Sequence, residues 1–255
     1  MQTSYSLARD PIFYLTVGFF ALFTTGLPLA IGQPNFLPIL QTVALFIFML
    51  IPIRQGLLRQ ALWVLALWLV LQFTVVVTLT WLLEARVEHA FHDGFSYRMA
   101  YIAWFYGANA ALRPDSFDAM PLSRLLELLG VLLGSLVSGG LIGVWFLVKS
   151  VNLAGYGMGA LLVSLNRTAA LFLALPLWTL LRIAGYAGLI TLLSEPLLTS
   201  NWQLLSYWHN RRRLLLIAGG LLLLGLLLEL FLPDLWRTFS NVDVSSTTCC
   251  LLPPA

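Results

Sequence analysis

Charge is what this sequence has least of. Only 10% of its 255 residues are Asp, Glu, Lys or Arg, while 60% are hydrophobic and the mean hydropathy is +0.89. A soluble domain carries roughly a quarter charged residues, so this chain could not cover a water-facing surface, and a large soluble core is excluded. The net charge of +3 rests on few ionised groups and forms neither a basic stripe nor aromatic-basic interleaving; nucleic acid is therefore not an expected partner. Cysteine is almost missing too. The adjacent pair Cys249 and Cys250 can build no disulfide framework and no Cys/His zinc spacing, and "CCLLPPA" misses the prenylation box, whose Cys stands fourth from the end. Also lacking are a P-loop, a G-x-S-x-G elbow and an H-E-x-x-H pair. Those absences leave no catalytic residue and no cofactor to expect.

What is present is long apolar runs. A membrane-crossing helix needs about 20 mostly apolar residues, and the sequence offers Pro11–Ile31, Phe36–Ile53, Leu57–Leu83, Leu125–Val148, Thr168–Leu193 and Leu214–Leu232. A shorter Gly-rich run, Val151–Leu165, either crosses or re-enters. The expected fold is all-α, a polytopic transmembrane helix bundle of six or seven spans. No small-x-small site follows the first run, which is expected to remain as a span and not to be cleaved. Between the third and fourth spans lies a polar interval, Glu84 to Arg124, with two of the three histidines. Its mixed aromatic segment, Tyr97–Leu112, suits a helix lying at the interface, where Tyr and Trp prefer to sit. The chain thus divides into a three-helix membrane region (1–83), a polar segment (84–124), a membrane bundle (125–232) and a polar tail (233–255).

Basic residues set orientation. With the N-terminus in the cytoplasm and seven spans, Arg54, Arg59, Lys149 and the triplet Arg211, Arg212 and Arg213 fall inside, and the polar interval falls outside. If Val151–Leu165 only re-enters, the triplet moves outside, which the rule disfavours.

Three groups of residues invite a functional reading. Glycines recur four apart at Gly130 and Gly134, and at Gly139 and Gly143, and again in "GYGMG" at Gly155, Gly157 and Gly159. With no strand before it, "GYGMG" is no dinucleotide fingerprint. Small residues at that spacing let helix backbones approach closely in lipid, which points to helix packing. In "EARVEHAFHD", a helix stacks Glu84, Glu88 and His92 on one face, with His89 and Asp93 beside them. Carboxylates and imidazoles so spaced can hold zinc or iron, but a solvated edge where a span meets water has the same composition, and no metal is expected there. Arg182, finally, stands inside "FLALPLWTLLRIAGYAGLI". An ionised side chain in the bilayer costs from about 2.5 kcal/mol upward and usually faces the bundle beside a partner. Glu229 in "LLLELFLP" is the natural one, offset from Arg182 by about 6 Å along the axis at 1.5 Å per residue; Glu127 is the second choice. The pair either locks two helices or serves a gating or substrate site.

From Leu125 onward the chain reads "GVLLGSLVSGGLIG", then "LVKSVNLAGYGMGALL" with its Asn-and-Gly turn, then "LPLWTLLRIAGYAG" and last "LLLELFLPDLW". The order of these features resembles the stage II sporulation protein M family of bacterial membrane proteins. The resemblance covers about half the chain. The family usually follows its membrane proline with His, Gly and then Glu; here those positions read Leu177, Trp178 and Leu181, while the terminal acidic residue, Glu229, is kept. The resemblance implies a non-enzymatic scaffold that binds partners at the membrane.

The expected role is thus a non-catalytic membrane subunit of the cell membrane. It would dock other membrane proteins, in a hetero-oligomeric complex, through Gly-lined helices and the 84–124 segment. The alternative is a transport component, a small permease or the membrane subunit of an ABC-type exporter, working through Arg182 and Glu229. A third reading is a membrane metalloenzyme built on Glu84, Glu88, His89 and His92.

Overall fold

The computed structural model describes residues 8, 10–33, 35–106, 113–114, 116–165, 177–199 and 204–233. Among them there is no strand, and seven helices are long and apolar enough to cross a membrane. The chain is an all-α polytopic bundle.

Local sequence explains where the first helices start and stop. Helix α1 (Pro11–Ile31) opens on Asp10, whose side chain accepts a hydrogen bond from Ile12 N, with Pro11 in the first turn. Both choices satisfy or remove amide groups that a helix start leaves unpaired. It closes at Gly32, whose N–H donates to Pro28 O at 2.9 Å. Helix α2 (Phe36–Arg54) returns, and α3 (Leu58–Leu82) crosses again. On α3 two tryptophans face outward, Trp63 and Trp81. They stand about 27 Å apart along the axis, close to the thickness of the hydrocarbon layer, a spacing that suits interfacial aromatics at its two boundaries.

The polar interval forms α4 (Glu84–His89) and α5 (Gly94–Phe105). The expected interfacial helix therefore begins earlier than Tyr97 and ends at Phe105; residues 107–112 lie outside those described. It does not float on the surface. Tyr101, Trp104 and Phe105 are buried against Val77, Met158, Leu161 and Leu162. Gly94 is required at its start, because a Cβ there would overlap Glu88 O.

The largest departure from expectation comes next. The stretch Leu125–Val148 is not one span, and Val151–Leu165 is not a separate short one. Helix α6 (Pro121–Ser138), with a π-helical segment over Gly130–Gly134, ends at Gly139 and Gly140, and α7 (Leu141–Leu165) then runs unbroken for 25 residues. Both turn glycines have positive φ, 64° and 102°, a region that costs a residue with a Cβ but not glycine. Lys149, expected in a loop, is an exposed residue of α7 about 12 Å from its start; its long stem can carry the ammonium toward the interface. Asn152, expected at a turn, is helical as well.

Helix α8 (Leu177–Leu198) ends later than expected, and α9 (Leu204–Phe231) begins earlier. Residues 168–176 and the tail from 234, with Cys249 and Cys250, lie outside the described residues. Helix α7 is the most buried span, with 78% of its apolar window inside. It packs most extensively against α3, and also against α2 and α8. One apolar core runs from Phe13 and Val17 in α1 through Leu65 and Trp68 in α3 and Val148 in α7 to Ile190 in α8 and Leu222 in α9. The N-terminal helices and the later bundle therefore share a single core.

Candidate functional site

Among the described residues, three buried polar clusters lie within the spans. The first joins α8 to α9. Arg182 is 1% and Glu229 4% exposed, and Arg182 Nη1 donates to Glu229 Oε2 at 2.5 Å. Glycine makes the contact possible. A Cβ on Gly225 would lie 3.0 Å from both Arg182 N and Trp178 O, and one on Gly185 would lie 2.8 Å from Leu222 N. A Cβ on Gly188 would come within 2.7 Å of Ala218 Cβ. Close backbone approach of this kind supplies dispersion contacts that lipid cannot match.

Glu127, the second choice as partner for Arg182, belongs to a different cluster. It is buried on α6, ion-paired with Arg124, and its Oε1 accepts from Ser150 Oγ at 2.6 Å. Tyr186 is buried on α8, one turn from Arg182. Its hydroxyl is buried without a hydrogen-bond partner, as is Glu229 Oε1.

The third cluster was not singled out from sequence. Gln41 on α2, Gln72 on α3, Asn152 on α7 and Thr25 on α1 meet in the middle of the bundle, all nearly or fully buried. Asn152 Nδ2 donates to Gln41 Oε1 at 2.7 Å, and Gln72 Nε2 donates to Asn152 Oδ1 at 2.8 Å. Gln41 Nε2 donates to Thr25 Oγ1 at 2.8 Å, and Gln72 also reaches Val148 O at 3.0 Å. Gln72 sits midway between Trp63 and Trp81, so the network lies near the bilayer midplane, where four helices exchange amide hydrogen bonds instead of exposing them to lipid. The only sequence signal was three carboxamides and a threonine inside apolar runs.

The glycines singled out from sequence serve contacts within the chain. Gly130 and Gly134 admit Phe146 and Ile142 of α7, and Gly143 lies against Ser135 and Ile190. Gly155 and Gly159 bring α7 onto Val76 and Thr80 of α3, while Tyr101 covers Gly157. Gly139 differs: it forms the α6–α7 turn and touches Leu197 and Leu198.

At the end of the bundle that holds α4 and α5, Arg98 pairs with both Glu84 and Glu88, the latter at 3.2 Å. Those carboxylates thus face a guanidinium, and among the described residues no group of three or more His, Cys, Asp or Glu gathers as metal ligands would; His89 instead packs near Gly32, and His92 joins no such group. Arg113 is buried here, donating from Nη2 to Thr179 Oγ1 at 3.0 Å, with the rings of Tyr101, Trp104 and Trp178 all within 6 Å of its guanidinium carbon. That cation–π cage fastens the polar interval to α8.

Compared with family models, curated proteins and solved structures, the chain matches none of them.

Proposed function

We propose that the chain is a non-catalytic subunit or scaffold of a hetero-oligomeric complex in the cell membrane, with its N-terminus in the cytoplasm, and that it docks partner membrane proteins. One observation carries the reading: the outward face of α9. Leu216, Leu223, Leu224 and Leu227 are exposed there around Gly220, and a Cβ on Gly219 or Gly220 would meet nothing within 4 Å. Gly220 lies about 14 Å from Arg211 along the axis, inside the hydrocarbon layer. A small residue bordered by leucines three, four and seven positions away is a notch into which another helix can bring its backbone. Gly130, Gly134, Gly143, Gly155 and Gly159 pack against this chain's own helices, so the Gly-lined face proposed for docking is that of α9, together with the 84–124 segment. Arg182 and Glu229 support it indirectly by holding α9 against α8. A partner-binding role is also what the likeness to the stage II sporulation protein M family implies.

The orientation is supported by where the basic residues collect: Arg54, Arg59, Arg211, Arg212 and Arg213 share the end of the bundle at which α1 begins, which the positive-inside rule assigns to the cytoplasm.

The test is co-purification from native membranes in mild detergent. Wild type is expected to bring a stoichiometric membrane partner, and Gly220→Leu, which fills the notch without touching the fold, is expected to lose it. Equal recovery with both would remove α9 as the docking face. A second reading, a transport component, draws on the unpartnered buried atoms Glu229 Oε1, Gln72 Oε1 and Tyr186 OH, which water or a solute could satisfy. It expects Glu229→Gln to abolish solute flux in proteoliposomes while the fold is kept.

A further inference from the structure

At the end of the bundle opposite α4 and α5, the first turn of α3 and the start of the membrane part of α9 flank an open cavity of about 360 Å³. Arg59, Arg211, Arg212 and Arg213 line it, together with Leu58, Leu62 and Leu214. Arg211 Nη2 reaches Glu195 Oε1 at 3.3 Å, and no other described ion pair engages the cavity's arginines. Four arginines thus line the pocket, and one of them meets a carboxylate. Without a counter-anion they repel one another, and the arrangement gains when an anion enters. At the opposite end of the bundle Arg98 and Arg124 are each matched by carboxylates, and Arg113 is caged by aromatic rings.

Depth and lining narrow the anion's identity. Trp63 lies one turn inward from Arg59 on the same face of α3 and is exposed where an interfacial tryptophan belongs. Arg59 therefore sits about 6 Å beyond that level, among headgroups and not among acyl chains. The leucines on the cavity wall offer an apolar side to whatever the arginines hold. Planar guanidinium forks match phosphate oxygens in two-point contacts, and basic pockets between spans at the membrane surface are suited to anionic headgroups. We infer that this cavity binds a phosphate group, and that its source is an anionic phospholipid of the surrounding leaflet, held by Arg59 and the Arg211–Arg213 triplet. This inference is independent of the docking role of α9.

The experiment uses the full-length protein in nanodiscs of phosphatidylcholine with or without phosphatidylglycerol, released into mild detergent for native mass spectrometry. Phosphatidylglycerol is expected to be retained in preference to phosphatidylcholine. Retention should weaken about five-fold in Arg212→Gln and again in Arg59→Gln/Arg212→Gln, in line with the contribution of one surface arginine to anionic lipid binding. Arg54→Gln, at the same end but outside the cavity, should behave as wild type. Arg59 and Arg212 are exposed, so the fold should persist, which circular dichroism checks. A second arm follows the melting of delipidated protein against inorganic phosphate alone. No shift, with lipid retained, assigns the site to a headgroup; a shift equal to that given by phosphatidylglycerol assigns it to soluble phosphate and overturns the lipid source. Equal retention of both lipids with no phosphate response overturns the site altogether. So does a loss in Arg54→Gln as large as in Arg212→Gln, which would reduce the effect to general surface charge.

Discussion

Two seams in this bundle use the same device with different chemistry. Where α8 meets α9, Gly185, Gly188 and Gly225 bring the backbones together and a charged clasp, Arg182–Glu229, closes the contact. Where α3 meets α7, Gly155 and Gly159 do the approaching and a neutral clasp, Gln72–Asn152, does the closing. The difference lies in what remains when one half is removed. A buried ion that loses its partner keeps an uncompensated charge, at about 3–5 kcal/mol, whereas an interhelical amide bond in lipid averages only about 0.6 kcal/mol. The α8–α9 seam is therefore the brittle one. The α3–α7 seam spreads its polar contacts over four helices and tolerates the loss of any single one better.

That contrast can be broken at four points, in descending order of effect. Arg182→Ala, which leaves Glu229 alone in the core, should destabilise the bundle by about 3–5 kcal/mol, measured by unfolding in mixed micelles. The double change Arg182→Met/Glu229→Leu should recover most of it, because an apolar pair of similar volume leaves no charge behind. Gly225→Ala places a Cβ 3.0 Å from two backbone atoms of α8. It should cost about 1–3 kcal/mol, as overpacking does. Asn152→Leu removes the centre of the amide network; at about 0.6 kcal/mol per interhelical bond it should lower stability by roughly 1–2 kcal/mol, below either change at the other seam. Arg98→Ala should matter least, at about 1 kcal/mol or under, because the Glu84 and Glu88 pairs are partly exposed and solvent screens them. If Asn152→Leu proved costlier than Arg182→Ala, the ranking of the two seams would be reversed.

How far these features could be read beforehand follows the strength of each signal. Charges are so scarce that Arg182 and Glu229 stand out in any apolar run, and hydropathy alone marks an all-α membrane bundle. The break between α6 and α7 was harder. Hydropathy favours ending a span at the nearest charge, Lys149, but the chain turns instead at Gly139–Gly140, where conformation and not polarity decides. The same error made Asn152 look like a turn residue, when it is the hub of the midplane network. That network stayed invisible because one carboxamide in an apolar run is unremarkable until three other helices bring it partners. Close-packing glycines were partly legible: the spacing of Gly130 and Gly134 signals contact, but not whether the contact lies inside the chain or with another one. The open Gly219 and Gly220 adjoin each other, which no four-residue pattern detects.

The proposed docking depends on α9 being held inward by Arg182 and Glu229, so that its outer face stays exposed. The most direct measurement is a quantitative co-purification from native membranes of wild type, Gly220→Leu and, as a lipid-facing control on α6, Leu133→Phe. A stoichiometric membrane partner with wild type and with Leu133→Phe, lost with Gly220→Leu, is the predicted result. A solitary chain in all three, or a partner retained equally by all three, would contradict it.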